Sequence, residues 1–168
     1  EAAAWAADAP APSPVRDCVV QASSGPSKEP RLAVGPDGAL VLAYNAGGDI
    51  TIASLAQGAL ASSPEVIGSG SNPEVYVDNE GGIHAAWCEG EAGISYWDAT
   101  ATQKISGLTC TARPGIGQDS EGRIHVVFSS NDLVGNPAVS SSTTYLYETI
   151  RKGNEWTRPM IVALPGGQ

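Results

Sequence analysis

Apolar residues along this chain alternate with period two in short runs, the clearest being residues 40–44, 83–87 and 124–128. Leu40, Leu42 and Tyr44 share one face of the first run; Ile83, Ala85 and Trp87, then Ile124, Val126 and Phe128, take the same places in the other two. Strict alternation over so few residues is a strand signal. The intervening positions, Val41, His84 and His125, then Ala43, Ala86 and Val127, are mostly small or apolar as well, so each strand is expected to be covered on both faces. Ahead of each run stands an acidic residue and a glycine: Asp37-Gly38, Glu80-Gly81 and Glu121-Gly122. Glycine accepts the positive φ of a tight turn at no steric cost, so each unit predicts strand, turn, strand.

These units are copies of one phrase. Residues 30–44 align without gaps on 73–87 and on 114–128, led by Pro30, Pro73 and Pro114. Fixed spacing near forty residues with this strand order is the signature of a β-propeller blade. The expected fold is therefore all-β, with three four-stranded antiparallel blades at about 30–68, 73–111 and 114–163. One extra strand at 15–21 precedes them, and residues 1–14, rich in Ala and Pro, predict a linker or processed N-terminus. In the third blade about ten extra residues within 130–142 separate the second and third strands, and insertions in repeat proteins collect on a binding face. Propellers close with four to eight blades. Three make half or part of a ring, which predicts association with a second copy or other chains, or membership of a longer propeller.

Composition narrows the function classes. Twenty Gly and twelve Pro suit many short strands and turns, with four Trp and five Tyr as anchors. A net charge of -9 repels phosphate backbones and anionic lipid, so neither nucleic acid nor a membrane surface is an expected partner. No apolar run is long enough to span a bilayer, and no basic-then-apolar leader opens the chain. Cys18, Cys88 and Cys110 lack metal-type spacing; one disulfide plus a thiol, or three thiols, both remain open. A Cys88–Cys110 bridge would have to join inner and outer strands of one blade, which requires the strand ends to bend together, and a Cys18–Cys110 bridge would couple outer strands only if their blades were adjacent, so the pairing stays open. Scarce Lys and a Ser/Thr/Gly-rich surface lean toward an extracellular or periplasmic protein.

The phrase P-x-h-x-h-D-x-x-G-x-h-H-h-x-W resembles the repeats of sialidase-like (BNR-type) β-propellers, a group with many non-catalytic exported members. Residues 145–159, YLYETIRKGNEWTRP, are similar to that family's third strand, hairpin and G-x-x-W-x-x-P fourth strand. The resemblance implies the propeller fold over residues 30–162. It also places the family's Asp-box, S-x-D-x-G-x-T-W, on residues 149–156, where Arg151 replaces the Asp and Glu155 the Thr. Catalytic members need three arginines for a sugar carboxylate, an Asp acid/base and a Tyr activated by Glu; Arg31 stands where one such arginine would lie, but Glu74 and Gly115 align with it. A second propeller group ends this strand in Asp, where the present chain has Tyr44, Trp87 and Phe128.

The expected function is accordingly a non-catalytic exported module that binds a protein or glycan or builds a larger assembly. The alternative is a fragment of a glycoside hydrolase whose catalytic residues lie in further blades. Candidate contacts are Arg31, the adjacent aromatics Tyr96 and Trp97, of which at least one is expected to be partly exposed, and Asn131, Asp132 and Asn136 of the insertion. His84 and His125 are expected to pack and hydrogen-bond within the strand layer, and the acidic turns to be hairpins held by side-chain to backbone bonds. No cofactor or metal motif is found, nor a G-x-S-x-G elbow, Walker loop or H-E-x-x-H helix.

Overall fold

The computed structural model describes residues 25–56, 59–133 and 143–163. The expected linker at 1–14, the strand at 15–21 with Cys18, and Asn136 lie outside them. The described chain is all-β apart from one 3₁₀ turn at Gly90–Ala92. It forms three antiparallel sheets that follow the three repeats. The first holds β1 (Ser27–Val34), β2 (Leu40–Ala46), β3 (Asp49–Ala56), β4 (Ala59–Leu60) and β5 (Glu65–Ser69). The second holds β6 (Ser71–Val77), β7 (Ile83–Cys88), β8 (Ile94–Trp97) and β9 (Thr102–Ser106). The third holds β10 (Gly115–Gln118), β11 (Ile124–Ser130), β12 (Tyr145–Lys152), β13 (Glu155–Trp156) and β14 (Met160–Ala163). Among the described residues no helix is long and apolar enough to cross a membrane.

Each sheet is a meander whose first two strands meet at the turn glycine. Gly38, Gly81 and Gly122 have φ of 79°, 87° and 78°, the left-handed region that the sequence pattern demanded. The expectation of three four-stranded units needs correction in two of them. In the first, β3 carries a two-residue hairpin partner, β4, besides β5. In the third, the expected single strand at 155–163 is broken at Thr157, which donates its backbone N–H to the Ile150 carbonyl and accepts the Ile150 N–H on Oγ1, both at 2.9 Å. Pro159 follows with no N–H to donate, so pairing resumes only at Met160.

Two apolar cores separate the three sheets, and period two decides which residue enters which. Ala85 and Trp87 of β7 and Trp97 of β8 pack on Val41, Ala43, Ile50 and Ile52 of the first sheet. Their neighbours Ala86, Cys88, Ile94 and Tyr96 pack on Ile124, Val126, Phe128 and Tyr147 of the third. The second sheet is thus covered on both faces. Tyr96 and Trp97 do face opposite ways, yet both are buried, because each face of β8 meets a neighbouring sheet. The expectation that one of them would be exposed is overturned for that reason.

Cys88 and Cys110 form a disulfide with a Cα–Cα separation of 5.4 Å. The fourth strand of this unit ends at Ser106 instead of running on to 111, and the chain turns back across the sheet end. There the Cys110 N–H reaches the Gly90 carbonyl at 3.1 Å, and Thr111 N–H the Ser129 carbonyl at 3.0 Å. Loop-closure entropy for a separation of 22 residues corresponds to about 3 kcal/mol. Cys88→Ser/Cys110→Ser is expected to lose about that much stability in urea titrations; a loss below about 1 kcal/mol would show that the returning loop is held by its hydrogen bonds alone.

Candidate functional site

A dense polar cluster lies where the second sheet meets the third. A cleft of about 450 Å³ opens there, lined by Asp78, Glu80, His84, Gln118, Glu121, Arg123, Arg151 and Lys152. Asp78, His84 and Arg151 of this lining belong to a continuous chain of hydrogen bonds. Asp78, at the end of the β6 turn, accepts the backbone N–H of Glu80 (2.9 Å) and Gly82 (2.7 Å) on Oδ1. Its Oδ2 lies 3.0 Å from Nε2 of His84, whose Nδ1 is 2.6 Å from the Tyr96 hydroxyl. Arg151 of β12 reaches across from the third sheet, donating from Nη1 to the Tyr96 hydroxyl (2.9 Å) and from Nη2 to Asp98 Oδ2 (2.7 Å). The guanidinium carbon is also 5.3 Å from the centroid of the Tyr96 ring. Trp156 meets that ring edge-on, with centroids 4.8 Å apart, and donates from Nε1 to Gln103 Oε1 at 3.2 Å.

One set of proton positions satisfies this chain. The Tyr96 oxygen accepts from Arg151, so its own hydrogen points to His84 Nδ1, and His84 Nε2–H donates to Asp78. Burial pushes the Tyr96 phenol up to about 12, against the pull of Arg151, so the hydroxyl keeps the proton it donates. Burial also pushes the Asp98 carboxyl up, but the Thr100 hydroxyl, the Ala101 and Thr100 amides and the Arg151 guanidinium outweigh it and hold the group at about 2. Asp78 is likewise held below the usual carboxylate range; burial raises it, but His84 and the amides of Gly82 and Glu80 lower it further. Both nitrogens of His84 are engaged, so the imidazole has no lone pair to offer a substrate. The arrangement is built to clasp two sheets.

The same turn-to-strand strut recurs in the third sheet. Asp119 accepts the N–H groups of Glu121 and Arg123 at 2.9 Å and bonds His125 Nε2 at 3.0 Å, while His125 Nδ1 meets Glu148 at 2.9 Å. Glu148 first, then Asp119, raise the His125 pKa against its burial; the His125 hydrogen bond in turn leads the groups that hold Asp119 well below the carboxylate range. The two carboxylates bind opposite nitrogens of one ring and do not converge on a point. Among the described residues no group of three or more His, Cys, Asp or Glu side chains is placed to hold a metal ion. In the first repeat Gly35 aligns with the two aspartates and Val41 with the two histidines; Asp37 instead caps the turn, accepting the Ala39 N–H at 2.9 Å. The turns at Asp78 and Asp119 are thus held by side-chain to backbone bonds, as their composition implied, and the Asp37 turn is held in the same way.

The candidate contact residues do not gather at one place. Arg31 projects from β1 to Glu74 of β6, with Nε 3.2 Å from the carboxylate, and so joins the first sheet to the second. Tyr96 and Trp97 lie in the two separate cores. Asn131 accepts the Thr144 hydroxyl at 2.8 Å. Asp132 accepts the Thr109 N–H on Oδ2 and the Tyr147 hydroxyl on its carbonyl, both at 2.6 Å, tying the third sheet to the loop that carries Cys110. Sequence reasoning left out Arg151, Asp98 and the aspartates as parts of one network. The signal for half of it was present: an Asp and a His six positions apart in two repeats, and neither in the third. No protein-family model matches this chain, and no curated protein matches it either.

Proposed function

We propose that the three sheets are blades of a β-propeller of the sialidase-like kind, and that the chain is a non-catalytic exported module that acts by binding a partner or by assembling into a larger ring. The observation that carries this is the use made of its charged residues at the sheet junctions. Arg31, at the position of a substrate-binding arginine in the family it resembles, is paired with Glu74. Arg151, at the position of the Asp-box aspartate, is spent on Tyr96 and Asp98. A sugar carboxylate would have to break these pairs to be bound. The Cys88–Cys110 disulfide supports an oxidising compartment such as the cell exterior or the periplasm, and the face-to-face packing of successive repeats supports the blade assignment.

Two measurements test this. Assayed on sialosides and aryl glycosides, the chain is expected to give no turnover above the uncatalysed rate; turnover abolished by Arg31→Ala would overturn the non-catalytic reading and favour a hydrolase fragment. A crystal structure is expected to show the sheets radiating about one axis, and sheets stacked in parallel without a common axis would overturn the blade assignment.

A further inference from the structure

A turn aspartate and a strand histidine form the same strut in the second and third sheets, and the two struts differ in what meets the far ring nitrogen. For His84 it is the Tyr96 hydroxyl, 2.6 Å from Nδ1; for His125 it is the Glu148 carboxylate at 2.9 Å. That difference decides the charge of the ring. A hydroxyl donates as well as accepts, so a neutral imidazole satisfies both nitrogens between Tyr96 and Asp78. A carboxylate at neutral pH is ionised and only accepts. His125 stands between two of them, Asp119 at 3.0 Å and Glu148 at 2.9 Å, so both its nitrogens must donate, and the imidazolium alone carries two N–H groups.

Two elements bring charge to this ring. The β10–β11 turn carries Asp119 and Arg123, whose Nε lies 2.6 Å from Asp119 Oδ2 and whose Nη1 lies 3.0 Å from Glu121. In β12, Ile150 stands opposite His125, with Glu148 and Lys152 two positions to either side on the same face. The nearest side chain of β14, Met160 opposite Glu148, is uncharged. Burial alternates along β11, so the second sheet packs on Ile124, Val126 and Phe128 and not on His125. The two carboxylates are held unequally. Asp119 is fixed by the amides of Glu121 and Arg123 and by the Arg123 guanidinium, whereas among the described residues the Glu148 carboxylate has no bonded partner besides His125.

We infer that His125 is a pH-operated clasp of the third sheet: as the imidazolium it ties Glu148 of β12 to Asp119 of the β10–β11 turn, and on losing a proton to solvent it keeps Asp119 and releases Glu148. The proton leaves Nδ1, because the carboxylate it served is the one free to turn away; the lone pair left behind faces a negative charge and repels it. Glu148 first, then Asp119, hold the ring above the ordinary 6.5 against its burial. The folded value therefore exceeds the unfolded one, so the stability that the clasp contributes is complete below about 6.5 and is lost as the pH rises through the folded value. His84, satisfied as the neutral ring, needs no such charge. The clasp lies within one sheet and is independent of how the three sheets are arranged.

Nitrogen-resolved NMR titration of the two histidine rings in the full chain tests the inference, with Glu148→Gln as the variant. In the parent chain His125 is expected to titrate above 6.5, with both nitrogens protonated below that point and the proton on Nε2 above it. The glutamine amide accepts from a charged ring and donates to a neutral one, so the variant is expected to fold and its His125 to titrate lower than the parent's. Urea titrations give the second readout. From pH 6.5 to the point where His125 titrates, the parent's unfolding constant should rise by up to about tenfold per pH unit, the slope for one proton, and the variant's over a narrower span. His125 titrating at or below 6.5 in the parent, a titration unmoved by Glu148→Gln, or a neutral ring with its proton on Nδ1 would each overturn the inference. Should the variant fail to fold, the parent's titration and tautomer decide alone.

Discussion

Trp87→Ala is expected to remove ~3–5 kcal/mol of stability, the range for losing a large aromatic from a packed core. The ring is fully buried between the first and second sheets, and its Nε1–H donates to the Ser69 carbonyl at 3.0 Å. It lies so close on the chain leading into β6 that a methyl group at Gly68 or Gly70 would run into it. Truncation therefore leaves a cavity against rigid backbone that cannot collapse, and a carbonyl without its donor. With ~2–4 °C lost per kcal/mol in a chain of this size, the midpoint of thermal unfolding should fall by roughly 10 °C. Trp87→Phe separates the two contributions. It keeps most of the ring, as Phe128 does at the equivalent place in β11, and is expected to cost about half as much. Urea titration with an unchanged m-value would attribute the loss to the folded state. A cost for Trp87→Ala below about 1 kcal/mol would mean that the junction is looser than its burial indicates.

That junction also shows what the sequence carried and what it withheld. The period-two runs and the turn glycines located the first two strands of every repeat, because alternation and positive φ are local requirements that each repeat must meet alone. The outer strands were harder. Whether β9 stops at Ser106 or runs on to 111 is decided by the disulfide and by the Gly90 carbonyl that draws Cys110 back, and these are contacts distant in sequence. Burial of both Tyr96 and Trp97 was hidden for a similar reason. Alternation states that neighbours face opposite ways, but it does not state that both faces have a neighbouring sheet. The pairing of Asp78 with His84 and of Asp119 with His125 was written in two repeats and erased together in the first, at Gly35 and Val41. The partners on the far nitrogens, Tyr96 and Glu148, come from the next strand and differ between repeats, so no common phrase could announce them.

Replacing Arg151 by Met should cost ~2–3 kcal/mol at neutral pH, toward the lower side of what breaking a buried ion pair costs, because Asp98 keeps its bonds to Thr100 and Ala101. The substitution preserves the stem that packs across the junction and deletes two donors, leaving Asp98 facing burial without its cation and the Tyr96 hydroxyl without its donor. The cost is expected to depend on pH with a definite sign. In the folded protein the Asp98 carboxyl is held at about 2, below the ordinary value of 3.8, so the stability it contributes is present above that ordinary value and is lost as the pH falls through about 2. A depression of this size corresponds to roughly 2 kcal/mol, only part of which belongs to Arg151. Without the guanidinium one lowering partner is gone while burial still raises the group, so the variant's acid loss begins at higher pH. Below the point where Asp98 is protonated in both proteins the gap between them should narrow. Urea titrations across the acid range measure that gap directly, and a cycle with Asp98→Asn isolates the pair, with an expected coupling of about 1–3 kcal/mol. A gap independent of pH, or a coupling near zero, would assign the effect of Arg151 to its packing on Tyr96 and not to its charge.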